Sequence, residues 1–452
     1  MRGTRRTPTL EATVALVAAG AVALVAGLLV THRASGAARD TTSVVVNLKS
    51  KQQVIQGFGN SERVWIDPHL SRSPNTNVPP AAQAEILTAL YRRLGLTRVR
   101  DVLDEGIELQ RGGPFNFSGK LTDAHVAFVK QAQKYGLRTF FPGPVYLEEW
   151  MQPDDPSGYV DYAMGVLNRW RQLGLEPPYY APINEPQVSH NFPPQWMHDV
   201  VLQLGERLRA AGFKTKLVIP DDENPVDAYR RAVAVLSDPA ARKYVGAVAF
   251  HIYGGTPADW VKLRQLASKY GLPLWMTEYN NDKITDFASA LDDWGVKIHD
   301  LLTIGNVNAV DYLFGFFGNW VGENDYISIR FDSNGQYQGF SYSPLYWVTG
   351  QYSRFIRPGD VRVSNSPSNG AVLTSAFTGR GQVTVVAVNP GGNHETLRVR
   401  VQGGKVGTRA QVVRSSATEN WKSLPTVRVR SGSFSTVIPP QSIVTFVLRK
   451  QA

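Results

Sequence analysis

The sequence predicts a parallel (β/α)8 TIM barrel with an antiparallel β-sandwich attached as a side domain. Three observations lead there. The middle of the chain repeats one pattern: a helix-period segment, a short Gly or Pro turn, then an apolar strand of four to six residues. The last hundred or so residues alternate apolar and polar every second position and carry no helical pattern. Polar residues suited to chemistry gather where the strands end, which in a parallel barrel is one mouth.

The elements follow in chain order. Arg2, Arg5 and Arg6 precede an uncharged run, Thr13 to Thr31, whose 19 residues would span about 28 Å as a helix, close to a bilayer core of about 30 Å. Residues 1–40 are therefore expected to be a signal peptide or an N-terminal membrane anchor, with the rest of the chain extracellular. The small residues Ala34 to Ala38 suit cleavage, while the length of the run suits retention, so both stay open. Residues 41–52, which include the alternating Val44 to Leu48, should add a strand to the side sandwich. Residues 53–350 should form the barrel, with strands at Val54–Phe58, Thr97–Arg100, Arg138–Phe141, Tyr179–Ile183, Lys216–Ile219, Ala247–His251, Pro273–Thr277 and Ala309–Phe314. Segments such as AHVAFVKQAQKYG and PQWMHDVVLQLGERLRAAG carry apolar residues at three- and four-residue spacing, as helices laid against a sheet do. Residues 351–452 should be the sandwich, with alternating stretches such as QVTVVAVNP and ETLRVRVQG.

Composition removes several classes. The chain has no Cys, which excludes a disulfide scaffold, Cys-ligated metal and a thiol nucleophile. No HExxH, Walker loop, Rossmann fingerprint or GxSxG elbow occurs. The net charge of +10 is concentrated: residues 354–452 hold 14 Lys plus Arg against three acids, a balance of +11. A basic sandwich on an exported protein suits an anionic cell-wall or membrane surface, or serves solubility alone; nucleic acid is not an expected partner.

Read together, the strand ends supply Arg100 and Asp101, Asn184 and Glu185, Asp221 and Asp222, His251 and Tyr253, and Glu278 with Tyr279. Glu185 and Glu278 would face each other across the mouth. Two carboxylates flanking a sugar are what glycoside hydrolysis needs, one to protonate the leaving oxygen and one to attack or to activate water. Asn184 would hold a sugar hydroxyl, and Pro186 would end the strand and leave Glu185 at the rim. Bland readings stand beside these. Arg100 could neutralise Asp101 or Asp104, His251 could be a core histidine, and Asp221, Asp222 and Glu223 read as a helix cap more readily than as a calcium site. Glu148 and Glu149 are rival carboxylates that precede a helix start.

The tract QQVIQGFGNS, the INEP and WMTEYN strand ends 93 residues apart, the AFHIYGG strand, and SPLYWVTGQYSRFIRPGDVRV before the sandwich resemble glycoside hydrolase family 30, within the clan of retaining (β/α)8 glycosidases, over residues 42–452. The resemblance implies Glu185 as acid/base and Glu278 as nucleophile, with Arg100, Asn184 and Tyr253 around the reacting sugar. This chain departs from the family's SPW-type turn with FPGPVYLEEW, and from its aromatic pair after strand eight with LFGFFGNW. Trp150 and Trp320 would be displaced stacking faces, or else loop core.

The expectation is a retaining hydrolase of β-linked polysaccharide or glycoconjugate that works by double displacement, with an endo-β-glycanase such as a xylanase or β-glucanase as the example in view. Its chemistry needs neither metal nor organic cofactor. Retention requires the two carboxyl groups about 5 to 5.5 Å apart, and Glu185, as the acid, should be the more desolvated or the closer to negative charge. An exo-acting xylosidase or arabinofuranosidase of the same clan, and a non-catalytic binder of cell-wall glycan, are the alternatives.

Overall fold

A computed structural model describes residues 41–189, 191–321 and 325–451. The expected signal or anchor, residues 1–40, lies outside the described residues. Among those described, no helix is long and apolar enough to cross a membrane.

Strand β1, Thr41–Val54, leads into the barrel strands β2 (Gly57–Glu62), β3 (Arg98–Leu103), β4 (Thr139–Pro144), β5 (Tyr179–Tyr180), β6 (Lys216–Asp222), β7 (Val245–His251), β8 (Leu274–Glu278) and β9 (Ala309–Gly318). These eight are parallel to their neighbours, and β2 pairs with both β3 and β9. The ring closes between β4 and β5, where the Ala181 N–H donates to Pro142 O and the Asn184 N–H to Pro144 O, both at 3.0 Å. The first barrel strand lies later than the expected Val54–Phe58. Val54 still belongs to β1, and Gly57 takes a φ of 126°, so the direction changes there.

Helices α1 (Pro80–Leu87), α2 (Thr122–Gln133), α3 (Pro156–Gln172), α4 (Pro194–Ala210), α5 (Pro225–Ser237), α6 (Pro239–Arg242), α7 (Pro257–Lys269), α8 (Phe287–Ala290), α9 (Val296–Thr303) and α10 (Pro344–Ser353) fill the spaces between strands or follow them. Seven of the ten begin on proline, whose fixed φ suits the first turn and whose missing N–H removes a donor that would have no intrahelical partner. The barrel interior packs Phe141, Ala181, Val218, Ala249 and Trp275 around a buried bidentate pair, Arg98 with Asp311.

The hairpin β10 (Asp325–Phe331) and β11 (Tyr337–Tyr342) extends from β9. After α10 come β12 (Val361–Pro367), β13 (Leu373–Gly379), β14 (Gln382–Asn389), β15 (Glu395–Gln402), β16 (Lys405–Ser416), β17 (Glu419–Arg428), β18 (Ser433–Ile438) and β19 (Ser442–Gln451). With β1 they form one nine-stranded sheet in the order β17-β16-β19-β14-β13-β12-β1-β15-β18. It is antiparallel except where β1 runs parallel to β15. The sheet folds over its own apolar face, so Val44, Val385, Val399 and Val412 share one core. Alternate residues on the other face, Phe377, Val386, Val388 and Ile443, join the large core of the barrel and its helices.

Candidate active site

Period-two alternation sends Arg98 and Arg100 of β3 to the same, inward side. Arg100 therefore stands one layer above the Arg98–Asp311 pair, at the end of the barrel where the strands finish. Its guanidinium reaches three strand ends. Nε donates to Asp221 Oδ2 at 2.9 Å, Nη1 to Glu278 Oε2 at 2.8 Å, and Nη2 to Asn184 Oδ1. Arg100 is not spent on its sequence neighbours: Asp101 pairs with His125 at 2.7 Å, and Asp104 with Arg63 and Lys120.

Glu185 and Asp221 both adopt left-handed backbone, with φ of 48° and 60°. That region costs about 1–2 kcal/mol for a residue with a side chain, and here the Glu185 N–H donates to Asp221 O at 3.0 Å, tying the two turns together. Asn184 and Glu185 thus leave the end of β5 in different directions, the first toward Arg100 and the second toward His251, whose Nδ1 lies 2.8 Å from Glu185 Oε1. Tyr253 donates its hydroxyl to Glu278 Oε1 at 3.0 Å. A carboxylate oxygen of Glu185, one of Glu278 and a ring nitrogen of His251 all lie within 4.8 Å of one another. The two glutamates come together at this end of the barrel, with side chains 15% and 10% exposed.

The electrostatics depend on Asp221. It has no exposed surface, and burial favours its neutral form. The charges of Arg100 and His251 and a 2.6 Å bond from Thr277 Oγ1 nonetheless hold it well below the usual carboxylate range. His251 is equally buried, which by itself disfavours the imidazolium. The carboxylates of Glu278, Asp221 and Glu185 overcome that and raise its pKa to about 10. Burial pushes Glu278 above its ordinary value, with His251 and Arg100 pulling back. Two cations, Arg100 and His251, thus face three carboxylates, so one proton among the carboxylates makes the buried centre neutral. Burial does not mark Glu185 as the acid: contrary to expectation, Glu278 is the less exposed of the two, because Arg100 and Tyr253 cover it. The distinction lies in the partners. Arg100 only donates, so the oxygen of Glu278 that it touches must accept.

Two further expectations change, the helix cap and the place of Glu148. The helix cap sought among Asp221, Asp222 and Glu223 is Asn224, whose side chain accepts from the Val226 and Asp227 N–H groups at 3.0 Å. Asp222 instead pairs with Arg231 at 2.7 Å. Trp150 is half-buried and packs against the large core, its Nε1 donating to Glu108 O at 2.6 Å. Trp320, 38% exposed, has Arg72 over its ring at 3.9 Å and is anchored to His69 O. Glu148 is buried and accepts from the N–H groups of Gly106, Ile107 and Glu108, a structural clamp for the loop after β3. The sequence reading gave Asp221 a capping role and passed over Thr277. Asp221 carried the same signal as the others, a charge at a strand end, but its nearness to a helix start pointed to capping.

Glu185, His251 and Glu278 offer donor atoms close enough for a cation, and so do Asp67, His69 and Asp104. In both sets the charge is already met from within the chain, by Arg100 in the first and by Arg63 and Lys120 in the second.

No family model matches the chain. Among curated proteins, a glucuronoxylanase of Bacillus subtilis is 23% identical over 433 residues, covering 90% of this chain and 92% of that protein. An endo-1,6-β-D-glucanase of Aspergillus fumigatus is 23% identical over 316 residues, 65% of this chain and 56% of the relative. Among solved structures, a family 30 endoxylanase from Clostridium papyrosolvens superposes with a TM-score of 0.72 at 24% identity, covering 90% of this chain and all of that one. The catalytic domain of a family 30 xylanase from Talaromyces cellulolyticus gives 0.72 at 21% identity, covering 90% and 99%. The barrel with its side sheet, the INEP and WMTEY strand ends that meet at one end of it, and sequence similarity along nearly the whole length agree: the chain has the fold of the glycoside hydrolase family 30 enzymes and is similar to them over about 90% of its length.

Proposed function

We propose that this enzyme cleaves an internal β-linkage of a polysaccharide with retention of configuration, by double displacement. Glu278 attacks the anomeric carbon while Glu185 gives its proton to the departing glycosidic oxygen. Glu185 then takes a proton from the water that releases the glycosyl-enzyme. The observation that carries this reading is the proximity of the two carboxylates. Oxygens within 4.8 Å suit direct attack and leave too little room for the water that an inverting enzyme places between its acids, about 6.5 to 9.5 Å apart. Arg100 and Tyr253 orient Glu278 by holding one oxygen each, and Asn184, fixed by Arg100, is placed to meet a sugar hydroxyl. The names of the relatives, a glucuronoxylanase and an endo-1,6-β-glucanase, support a polymer cut at internal linkages. The exposed Tyr146 and Trp320, on the loops after β4 and β9, are the aromatic faces we assign to the sugar chain. We also propose action outside the cytoplasmic membrane, on the strength of the basic and apolar N-terminal sequence.

Two variants separate the roles. With an aryl glycoside whose leaving group needs no proton, Glu185→Gln should still release one equivalent of aglycone in a burst and then turn over about 10²- to 10⁴-fold more slowly. Glu278→Gln should give no burst. Proton NMR of the first-formed product should show the anomer of the substrate. The opposite anomer, or a Glu278→Gln enzyme with more than about a tenth of wild-type turnover, sinks the assignment.

A further inference from the structure

At the other end of the barrel, where Gly95 leads into β3, a surface cavity of about 560 Å³ opens between the barrel and the side sheet. Arg92 and Arg93 enter it from the segment before β3, Arg354 and Arg357 from the end of α10, Arg380 from the β13–β14 turn, and Trp421 from β17. Of these five arginines, only Arg380 has a carboxylate partner among the described residues, Asp360 at 2.7 Å. The rest are held by carbonyls and rings. Arg92 donates to Lys134 O at 3.1 Å, Arg93 to Tyr342 OH at 3.3 Å, and Arg357 to Ser353 O at 2.9 Å; Arg354 lies 4.1 Å over Trp421. Arg354 Nη1 is buried with no hydrogen-bond partner. Such an arrangement leaves positive charge unmatched. Burial, with Arg380 and Arg138 nearby, pulls Arg357 below its ordinary pKa. A cluster of like charges repels itself, and a solubilising surface would spread it out. Here the chain gathers arginine forks, which match the paired oxygens of phosphate or carboxylate, around one concavity of ligand size.

We infer that this cavity binds an oxyanion group, phosphate or carboxylate, carried on a polymer that runs across the junction of barrel and side sheet. It lies at the N-terminal end of the strands, whereas Arg100, Glu185 and Glu278 stand at the C-terminal end, so the bound group is not the sugar being cleaved. The basic side sheet continues the same field and favours a polymer over a free ion. The site would hold the enzyme on an acidic matrix while its mouth works on a separate chain. This inference stands whether or not the catalytic roles proposed above are correct.

Isothermal titration calorimetry of the full chain with a uronate oligomer (oligogalacturonate) and with inorganic polyphosphate tests it and shows which oxyanion is preferred. Saturable binding of at least one probe is expected, weakening as salt is added. The Arg92→Ala/Arg93→Ala variant should bind about tenfold or more weakly, as loss of charge-assisted hydrogen bonds implies, while hydrolysing an aryl glycoside like wild type. Arg398→Ala/Arg400→Ala, which removes equal charge from the exposed face of β15 in the side sheet but outside the cavity, should weaken binding far less, through the diffuse field alone. No saturable binding of either probe, or an equal loss in both double variants, overturns the inference.

Discussion

Asp221 is the residue on which the site's charge balance turns. Fully buried between Arg100, His251 and Thr277, it stays ionised only because those partners remain. Asp221→Asn keeps the shape and removes the charge, leaving two cations to share the glutamates. Losing one member of a buried ion pair costs about 3–5 kcal/mol, so a clear fall in denaturation midpoint is expected. Activity should fall at least about tenfold, since Arg100 would shift toward Glu278 and lower its nucleophilicity. Thermal unfolding and single-turnover rates on the purified variant check both. His251 gives a second test, in which the sign is fixed by linkage. Its folded pKa of about 10 lies above the ordinary 6.5, so the native state holds the extra proton between those values. The stabilisation is complete below pH 6.5 and is lost as pH rises toward 10. Urea unfolding at pH 6, 8 and 10 should show wild type losing stability at the alkaline end, and His251→Gln losing less over the same interval. Parallel losses would mean that the histidine is neutral throughout.

At the scale of elements, barrel closure is the place where sequence and structure diverge instructively. The run YYAPI reads as a five-residue strand, yet β5 is only Tyr179–Tyr180. Pro182 has no N–H to offer a ladder, and the Asn184 N–H goes across to Pro144 on β4. The prolines shorten the strand, and the same interruption frees Asn184 and Glu185 to turn into the mouth. Gly143 completes the closure. A Cβ there would meet Ala181 O at 2.7 Å and Ala181 Cβ at 3.0 Å. Gly143→Ala should therefore spread β4 from β5 and destabilise the fold by about 1–3 kcal/mol, with a lower melting temperature and a larger loss of kcat than of substrate affinity, because Asn184 and Glu185 hang from that seam. An unchanged melting temperature would show that the seam yields without cost. Strand and helix positions were legible because each carries its own period and its own proline or glycine boundary. The partners of Asp221, Asp222 and Trp150 were not, since they come from positions distant in sequence and no local pattern records which strand ends meet.

Across the whole molecule, β1 joins what the chain order separates. It precedes the barrel but sits in the middle of the side sheet, antiparallel to β12 and parallel to β15. Without it the nine-stranded sheet falls into two incomplete parts, β17 to β12 on one side and β15–β18 on the other, and Val44, Val46 and Leu48 leave the sandwich core. The other face of that sheet shares its core with the barrel, through Phe377, Val386, Val388 and Ile443. Damage to the sheet must therefore reach the barrel. Residues 41–452 should unfold in one cooperative transition seen alike by tryptophan fluorescence and circular dichroism, whereas a chain beginning at Gly57 should fail to fold, or melt far lower and without glycosidase activity. If the shortened chain instead keeps a barrel that hydrolyses an aryl glycoside with wild-type rate, the barrel is independent of its side sheet and the shared core contributes little to it.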